Sequence, residues 1–243
     1  MTVQVVVPMA GAGSRFAEAG YVDPKPFIDV EGQPMIAGVI EDLQRTFDVG
    51  SWVFLVRAEH VQRMADVVES MGLGDFSIIA VPELTGGAAC TVLLAEDYVE
   101  PNLPLVVANS DQRFRCKPWP KHGWCDSAIL TFTATESKWS YVIMDDRGEC
   151  VEWVDEKPRF PPSERATVGV YYFAKAQWGF SAIRTMMQEP SQRVNGEWYL
   201  APCYNAMPRF LDTKIFPVDE MHGLGTPADL QAYLNRPENK ESP

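Results

Sequence analysis

Positive charge is in short supply in this chain. Across 243 residues, 21 lysines and arginines face 33 aspartates and glutamates, for a formal net charge of -12. Such a surface repels polyanions and offers little counterion release, which excludes a nucleic-acid coat and argues against binding to an anionic membrane. Histidine is scarcer still: His60, His122 and His222 show no pattern of partners for nucleophilic catalysis, and no Ser-His-Asp arrangement is visible. Cysteine is limited to Cys90, Cys116, Cys125, Cys150 and Cys203, odd in number and without a C-x-x-C pair, so neither a disulfide framework nor a zinc knuckle is favoured. Cys116, His122 and Cys125 lie near one another but lack the fourth ligand of a tetrahedral site. Long apolar runs are absent too. The stretch from Val3 to Ala10 is broken by Gln4 and Pro8, falls short of the about 20 residues of a membrane span, and has no basic leader before it. It reads as a first strand, and the expectation is a cytoplasmic protein with buried thiols.

What the chain does have is apolar content in a regular pattern. Hydrophobic residues make up 46% of it, enough to fill a sizeable core at this length. In the first half, short β-branched runs alternate with helical stripes. Val3 to Val7 predicts a strand, Pro34 to Phe47 a helix, Trp52 to Val56 a strand, Val61 to Met71 a helix, Phe76 to Val81 a strand, Ala88 to Val99 a helix, and Leu105 to Ala108 a buried strand. Continuous rather than alternating apolar strands indicate a parallel sheet covered on both faces. The second half changes texture. Ala128 to Ala134, Tyr141 to Met144, Cys150 to Val154 and Thr167 to Phe173 predict strands, with a hairpin tip at Asp146-Arg147-Gly148. Helices return at Gln177 to Met187, around Tyr199 to Leu211, and at Pro227 to Asn235, where Thr226 caps and Pro227 takes the first helical position. Without repeats or a long polar linker, the expected architecture is a single α/β domain over residues 1–236. Residues 1–115 form a mostly parallel half and 116–236 an appended mixed-sheet half, followed by a polar tail over 237–243.

In an acidic protein, the places where cations sit among glycines are informative. The first strand runs into Met9-Ala10-Gly11-Ala12-Gly13-Ser14-Arg15. Small residues there let the backbone approach a ligand and aim successive amides into a phosphate-sized concavity, while Arg15 adds a bidentate fork. Next comes Asp23-Pro24-Lys25-Pro26-Phe27, where the flanking prolines restrict the backbone and fix the origin of the Lys25 side chain. No G-K-[ST] follows, and no third glycine completes a dinucleotide pattern.

The segment GAGSRFAEAGYVDPKPFIDVEGQPMI resembles the signature of the sugar-phosphate nucleotidylyltransferases, a glycine-rich G-x-G-[ST]-R followed by P-K-P. Four later stretches are similar to further motifs of that family: Thr85-Gly86-Gly87-Ala88-Ala89, Asn109-Ser110-Asp111, Glu156-Lys157-Pro158, and His222-Gly223-Leu224-Gly225-Thr226-Pro227, with Glu197 to Pro202 resembling an acceptor-lining helix. The resemblance spans residues 3 to 234. It implies a Rossmann-like, mostly parallel central sheet flanked by helices, and transfer of a nucleoside monophosphate from a nucleoside triphosphate to a phosphorylated acceptor with release of pyrophosphate. It further implies a nucleotide site at Met9, Ala10, Gly11, Ala12, Gly13, Ser14, Arg15, Lys25, Glu83, Gly86, Gly87, Ala88, Ser110 and Asp111. The acceptor site implied comprises Ser140, Tyr141, Glu156, Lys157, Gly169 and Tyr199. Arg15, Lys25, Asp111 and Lys157 are the implied catalytic residues, with Mg²⁺ on Asp111. Trp139, Trp153, Trp178 and Trp198 read as core or hairpin packing.

The match departs from the family in places. Gly223 stands where many members carry a second metal-binding aspartate, which leaves a single carboxylate, or replacement by Asp219 or Glu220. The first motif reads Ala-Gly-Ala-Gly-Ser-Arg, and a C-terminal extension is absent, variations that look like a short branch associated with capsule and surface-polysaccharide loci. The acceptor is a sugar 1-phosphate by family default, a phosphorylated amine or amino-acid derivative with a cytidine nucleotide being the alternative. The base, and whether the protein forms a homo-oligomer, stay open. A rival metal-dependent glycosyltransferase would show D-x-D, and Asn109-Ser110-Asp111 supplies only its second aspartate; a silent nucleotide sensor would not need all four charged residues.

Overall fold

A computed structural model describes the chain over residues 2–120 and 123–236. The expectations for His122 and for the tail 237–243 lie outside the described residues. In chain order the first half gives β1 (Val3–Pro8), α1 (Ser14–Glu18), a small ribbon of β2 (Asp29–Val30) and β3 (Gln33–Pro34), α2 (Met35–Thr46), β4 (Val49–Arg57), α3 (Val61–Ser70), β5 (Phe76–Val81), α4 (Ala88–Leu93) and β6 (Leu105–Ala108). The second half gives β7 (Gln112–Arg115), β8 (Ser127–Thr133), β9 (Ser140–Met144), β10 (Val151–Glu156), β11 (Arg165–Phe173), α5 (Ala176–Met186), β12 (Thr213–Pro217), β13 (Glu220–Gly223) and α6 (Pro227–Leu234).

The main sheet runs β10-β9-β11-β6-β1-β4-β5, with β8 pairing β11 and β12. Strands β6, β1, β4 and β5 are mutually parallel, while β8 to β11 pair antiparallel. Alternate residues of the parallel strands enter opposite cores, which is why their sequences read as unbroken apolar runs. Val5 and Val7, Phe54 and Val56, and Val106 join Ile36, Ile40 and Leu43 of α2 and Met64 of α3. Val6, Leu55 and Val107 join Val92 of α4 and Phe180 and Ile183 of α5 on the other face. Each fully buried large side chain contributes about 1.5–3 kcal/mol to this sandwich.

Strand β11 belongs to two neighbourhoods. Its C-terminal part, Val170 to Phe173, pairs β6, and Ala166 pairs Tyr141 of β9. The change of partner falls at Gly169, whose φ of +90° suits glycine and whose carbonyl accepts from the Asn109 amide at 2.9 Å. At the far side β10 is an edge, and the Asn205 carboxamide covers it by accepting from the Val154 amide at 2.7 Å and donating to the Val154 carbonyl at 2.8 Å.

Most expected elements are present; α1 and the β2–β3 ribbon are additional, and four further differences stand out. Helix α4 stops at Leu93 instead of Val99, because Leu94 and Ala95 close it with tight i→i−3 bonds to Thr91 and Val92. The helix expected around Tyr199 to Leu211 is a 3₁₀ segment over Ala201–Ala206, ended by Met207 in the extended conformation that Pro208 imposes. β12 extends the sheet beside β8, and β7 and β13 pair as a separate antiparallel ribbon. The Thr226 cap and Pro227 are as expected, the Thr226 hydroxyl accepting from the Asp229 amide at 3.1 Å.

Candidate active site

The spatial order β6-β1-β4 means the chain leaves β1 in one direction and later arrives at β6 in the other. Open α/β sheets bind ligands at such a reversal, beyond the carboxyl ends of the strands. The two loops that issue there are the glycine-rich segment after β1 and Asn109-Ser110-Asp111 after β6. Met9 and Ala10 are buried, the Met9 amide donating to the Leu55 carbonyl at 2.9 Å, while Gly11, Ala12, Ser14 and Arg15 are exposed. Gly13 takes φ +62° and begins α1. A side chain on Gly13 would face Lys25 Cβ at 3.7 Å, so the loop and the Pro24-Lys25-Pro26 turn lie against each other. Lys25 then reaches across to Asp111: Nζ donates to Oδ2 at 2.8 Å, with each side chain about a quarter exposed (25% and 23%).

Asp111 is held from the other side by the loop after β13. Its carbonyl accepts from the Leu224 amide at 2.7 Å, and a Cβ on Gly225 would stand 2.9 Å from Oδ2, so only glycine leaves the carboxylate its place. Ser110 is buried, and Gln112, also buried, donates to the Asn109 carbonyl at 2.8 Å and braces the loop. Among the described residues no group of three or more His, Cys, Asp and Glu could hold a metal. The donor chemistry on this side is one carboxylate. It fits a hard cation such as Mg²⁺ that completes its shell with phosphate oxygens and water. Glu220 pairs with Arg115 and His222 at the end of the ribbon remote from Asp111, and Asp219 lies at the same end, its amide donating to the Arg115 carbonyl at 2.8 Å. At Gly223 the space for a side chain is taken by the Trp139 ring, 2.7 Å from where a Cβ would stand.

The remaining expected residues gather around the second half. Gly87, at φ +133°, lies against the backbone of Trp198 so closely that a Cβ would stand 2.5 Å from its carbonyl oxygen; Trp198 donates to the Gly86 carbonyl at 2.8 Å and accepts from Ala89 at 3.0 Å. The next residue, Tyr199, meets Lys157, whose Nζ lies 2.5 Å from the phenol oxygen and 3.8 Å from the ring centroid. Lys157 itself has φ +50°, an uncommon conformation for a residue with a side chain, and its amide donates to the Trp139 carbonyl at 3.2 Å. Beside it Glu156 is buried and takes a short hydrogen bond from the Ser140 hydroxyl; burial pushes its carboxyl above the ordinary glutamate value, against the lowering effects of Ser140 and Lys157. Glu83 and Ala88 flank the Gly86-Gly87 turn, Glu83 exposed and Ala88 beginning α4.

Tyr141 is the one expected acceptor residue whose side chain faces elsewhere. It is fully buried with Ala134 and Ala166, and its hydroxyl donates to the Glu136 carbonyl at 2.7 Å, because alternation along β9 turns it away from neighbouring Ser140. Gly169 is packed against the Asn109 side chain. Three contributors were not singled out as site residues from the sequence: Gly225, Asn109 and the backbone of Trp198. The Gly-x-Gly spacing before Thr226 was the available signal for the first. Of the cysteines set aside as metal ligands in the sequence, Cys116 contacts the Thr46 hydroxyl, and burial pushes the Cys125 thiol up to about 12.

One sheet whose parallel half carries a glycine-lined cleft with Lys25 at its strand reversal, and whose mixed half bears Lys157, is the layout of a nucleotidyltransferase fold. The chain belongs to the Nucleotidyl transferase family, whose model matches residues 5–197. It is 25% identical over 175 residues to the bifunctional protein GlmU of Methanocaldococcus jannaschii, covering 71% of this chain and 40% of that protein. It is also 25% identical over 185 residues to the UTP–glucose-1-phosphate uridylyltransferase AglF of Haloferax volcanii, covering 72% and 73%. Among solved structures, the nucleoside-diphosphate-sugar pyrophosphorylase of Vibrio cholerae superposes with a TM-score of 0.82 at 26% identity, covering 96% of this chain and 100% of that one. The inositol-1-phosphate CTP transferase of T. maritima shares the fold, with a TM-score of 0.76 at 16% identity over 99% and 97%. No helix among the described residues is long and apolar enough to cross a membrane.

Proposed function

We propose that this protein joins a nucleoside monophosphate from a nucleoside triphosphate to a sugar 1-phosphate, releasing pyrophosphate and yielding an activated precursor for surface polysaccharide in the cytoplasm. The observation that carries the reading is the Lys25–Asp111 pair at the strand reversal, set between the glycine-rich loop and Gly225. In this reading residues 1–236 act as one unit, 1–115 receiving the nucleotide and 116–236 the acceptor. An oxygen of the acceptor phosphate forms a bond to the α-phosphorus while the bond from that phosphorus to the bridging oxygen breaks, and pyrophosphate departs with the electron pair. Both reactants are anions, so positioning and charge neutralisation lower the barrier and no general base is needed.

Each cation then has a task. Arg15, exposed on α1, meets the leaving pyrophosphate; Lys25 meets the α-phosphate; Lys157, steadied on Tyr199, holds the acceptor phosphate. Asp111 would hold Mg²⁺, which when bound supplies positive charge to the phosphate oxygens. The backbone at Ala10, Gly11 and Gly87 frames the base and ribose, with Glu83 beside them, and Glu156 with Ser140 faces the acceptor. The test is pyrophosphate release over four nucleoside triphosphates and a panel of sugar phosphates and phosphorylated amines with Mg²⁺. Turnover with a sugar 1-phosphate supports the reading, turnover only with an amine moves the acceptor to that class, and no release with any pair overturns it. Lys25→Ala is expected to lower kcat by about 10²–10³-fold with a modest change in KM.

A further inference from the structure

We propose that Lys25 serves as the internal counter-ion of Asp111, keeping divalent cations off the carboxylate until nucleotide phosphates draw the ammonium away. The proposal rests on the reading of Asp111 as the metal ligand and adds an order of binding to it. Three observations converge. First, the Lys25 ammonium contacts Asp111 Oδ2 at 2.8 Å, and Lys25 is the carboxylate's single side-chain partner among the described residues. Second, both backbones are fixed. Lys25 lies in a tight turn in which the Phe27 amide donates to the Pro24 carbonyl at 2.8 Å, and Asp111 is pinned through its carbonyl by Leu224 at 2.7 Å. The lysine can leave only by rotation of its flexible stem, and the carboxylate stays where it is. Third, the neighbouring loop adds no side-chain ligand at this position: Gly225 abuts Oδ2, Trp139 fills the space beside Gly223, and among the described residues no group of three or more His, Cys, Asp and Glu could hold a metal.

A lone cation approaching Asp111 therefore meets a carboxylate already neutralised by an ammonium, and it must displace or tolerate a like charge a few ångströms away. A triphosphate changes that balance. Its oxygens offer Lys25 a stronger partner and offer the cation the additional hard ligands that one carboxylate lacks. The cation and the nucleotide accordingly enter together, and Lys25 moves from the carboxylate to the phosphate it is to stabilise.

Binding of Mn²⁺ to the nucleotide-free protein, followed by electron paramagnetic resonance of the unbound ion, separates this from a merely structural ion pair. Lys25→Met, which keeps the length of the stem and removes the charge, is expected to bind Mn²⁺ about tenfold more tightly than the native chain, about 1.4 kcal/mol. Lys25→Arg is expected to bind as weakly as the native chain, and Asp111→Asn added to Lys25→Met to abolish the gain. Far-UV circular dichroism checks folding, with Lys25→Gln as the substitute if the methionine variant does not fold. Equal Mn²⁺ affinity in native and charge-deleted proteins, both weakened by Asp111→Asn, would overturn the counter-ion role and leave the metal assignment standing. Indifference of every variant to Asp111→Asn would remove the metal assignment itself.

Discussion

Lys157 combines a task and a strain, and substitution can separate them. Its φ of +50° costs a residue with a Cβ about 1–2 kcal/mol, and the following Pro158 narrows its conformations further. Lys157→Ala removes the ammonium from Tyr199, a contact of about 0.5–1 kcal/mol, and keeps the strain. Lys157→Gly removes the same contact and also the strain, at an unfolded-state entropy cost of about 0.5–1 kcal/mol. The glycine variant is thus expected to be more stable than the alanine variant by about 0.5–1 kcal/mol, the reverse of their usual order. At about 2–4 °C of Tm per kcal/mol for a chain of this size, the two should differ by about 1–4 °C. Paired thermal and urea melts read the difference, and both variants should raise KM for the acceptor equally. An alanine variant as stable as the glycine variant would refute the argument that Lys157 is held in a left-handed conformation.

Three further outcomes follow from closely packed groups. Asp42, 2% exposed, accepts from Arg113 Nε at 2.8 Å and from the Phe114 amide at 2.9 Å and also pairs with Arg45; Asp42→Ala should cost about 3–5 kcal/mol in urea melts by stranding Arg113, and a loss under about 1 kcal/mol would show the network is relaxed in solution. Gly87→Ala should cost about 1–3 kcal/mol by driving a methyl into the Trp198 backbone, and wild-type melting would contradict that contact. Burial raises the Glu156 carboxyl in the folded state, so the native protein binds more protons than the unfolded one above the ordinary glutamate value of 4.5, and stability falls as pH rises from there through the raised value. Glu156→Gln should flatten that decline and leave the two proteins closest in stability at low pH; parallel pH profiles would argue against a buried, titrating Glu156.

The parallel half was legible in the sequence because its strands are buried on both faces, and residues such as Val5, Val6 and Val7 have to be apolar whichever core they enter. Motif order likewise indicated Lys25 and Asp111, whose charges need a defined place at a strand reversal. What stayed hidden is set by tertiary context. β7 and β13 carry Gln112, Arg113, Glu220 and His222, a polar string with no periodicity, and become strands because they pair with each other. The 3₁₀ segment at Ala201–Ala206 carries poor helix formers in Cys203, Tyr204 and Asn205 and is ended by the demands of Pro208. The inward turn of Tyr141 depended on the register of β9 by a single residue, which the adjacent Ser140 did not reveal.

Asn205 gives the exposed flank of the main sheet an ending. By offering one acceptor and one donor to Val154, its carboxamide does for β10 what the peptide group of a further strand would do, without the rest of that strand. Unpaired sheet edges are where folded chains recruit one another into extended assemblies. A single amide side chain on a short 3₁₀ turn therefore occupies the backbone donor and acceptor that Val154 would otherwise present to another chain, at a position where an added charge would have had to sit beside buried Val154.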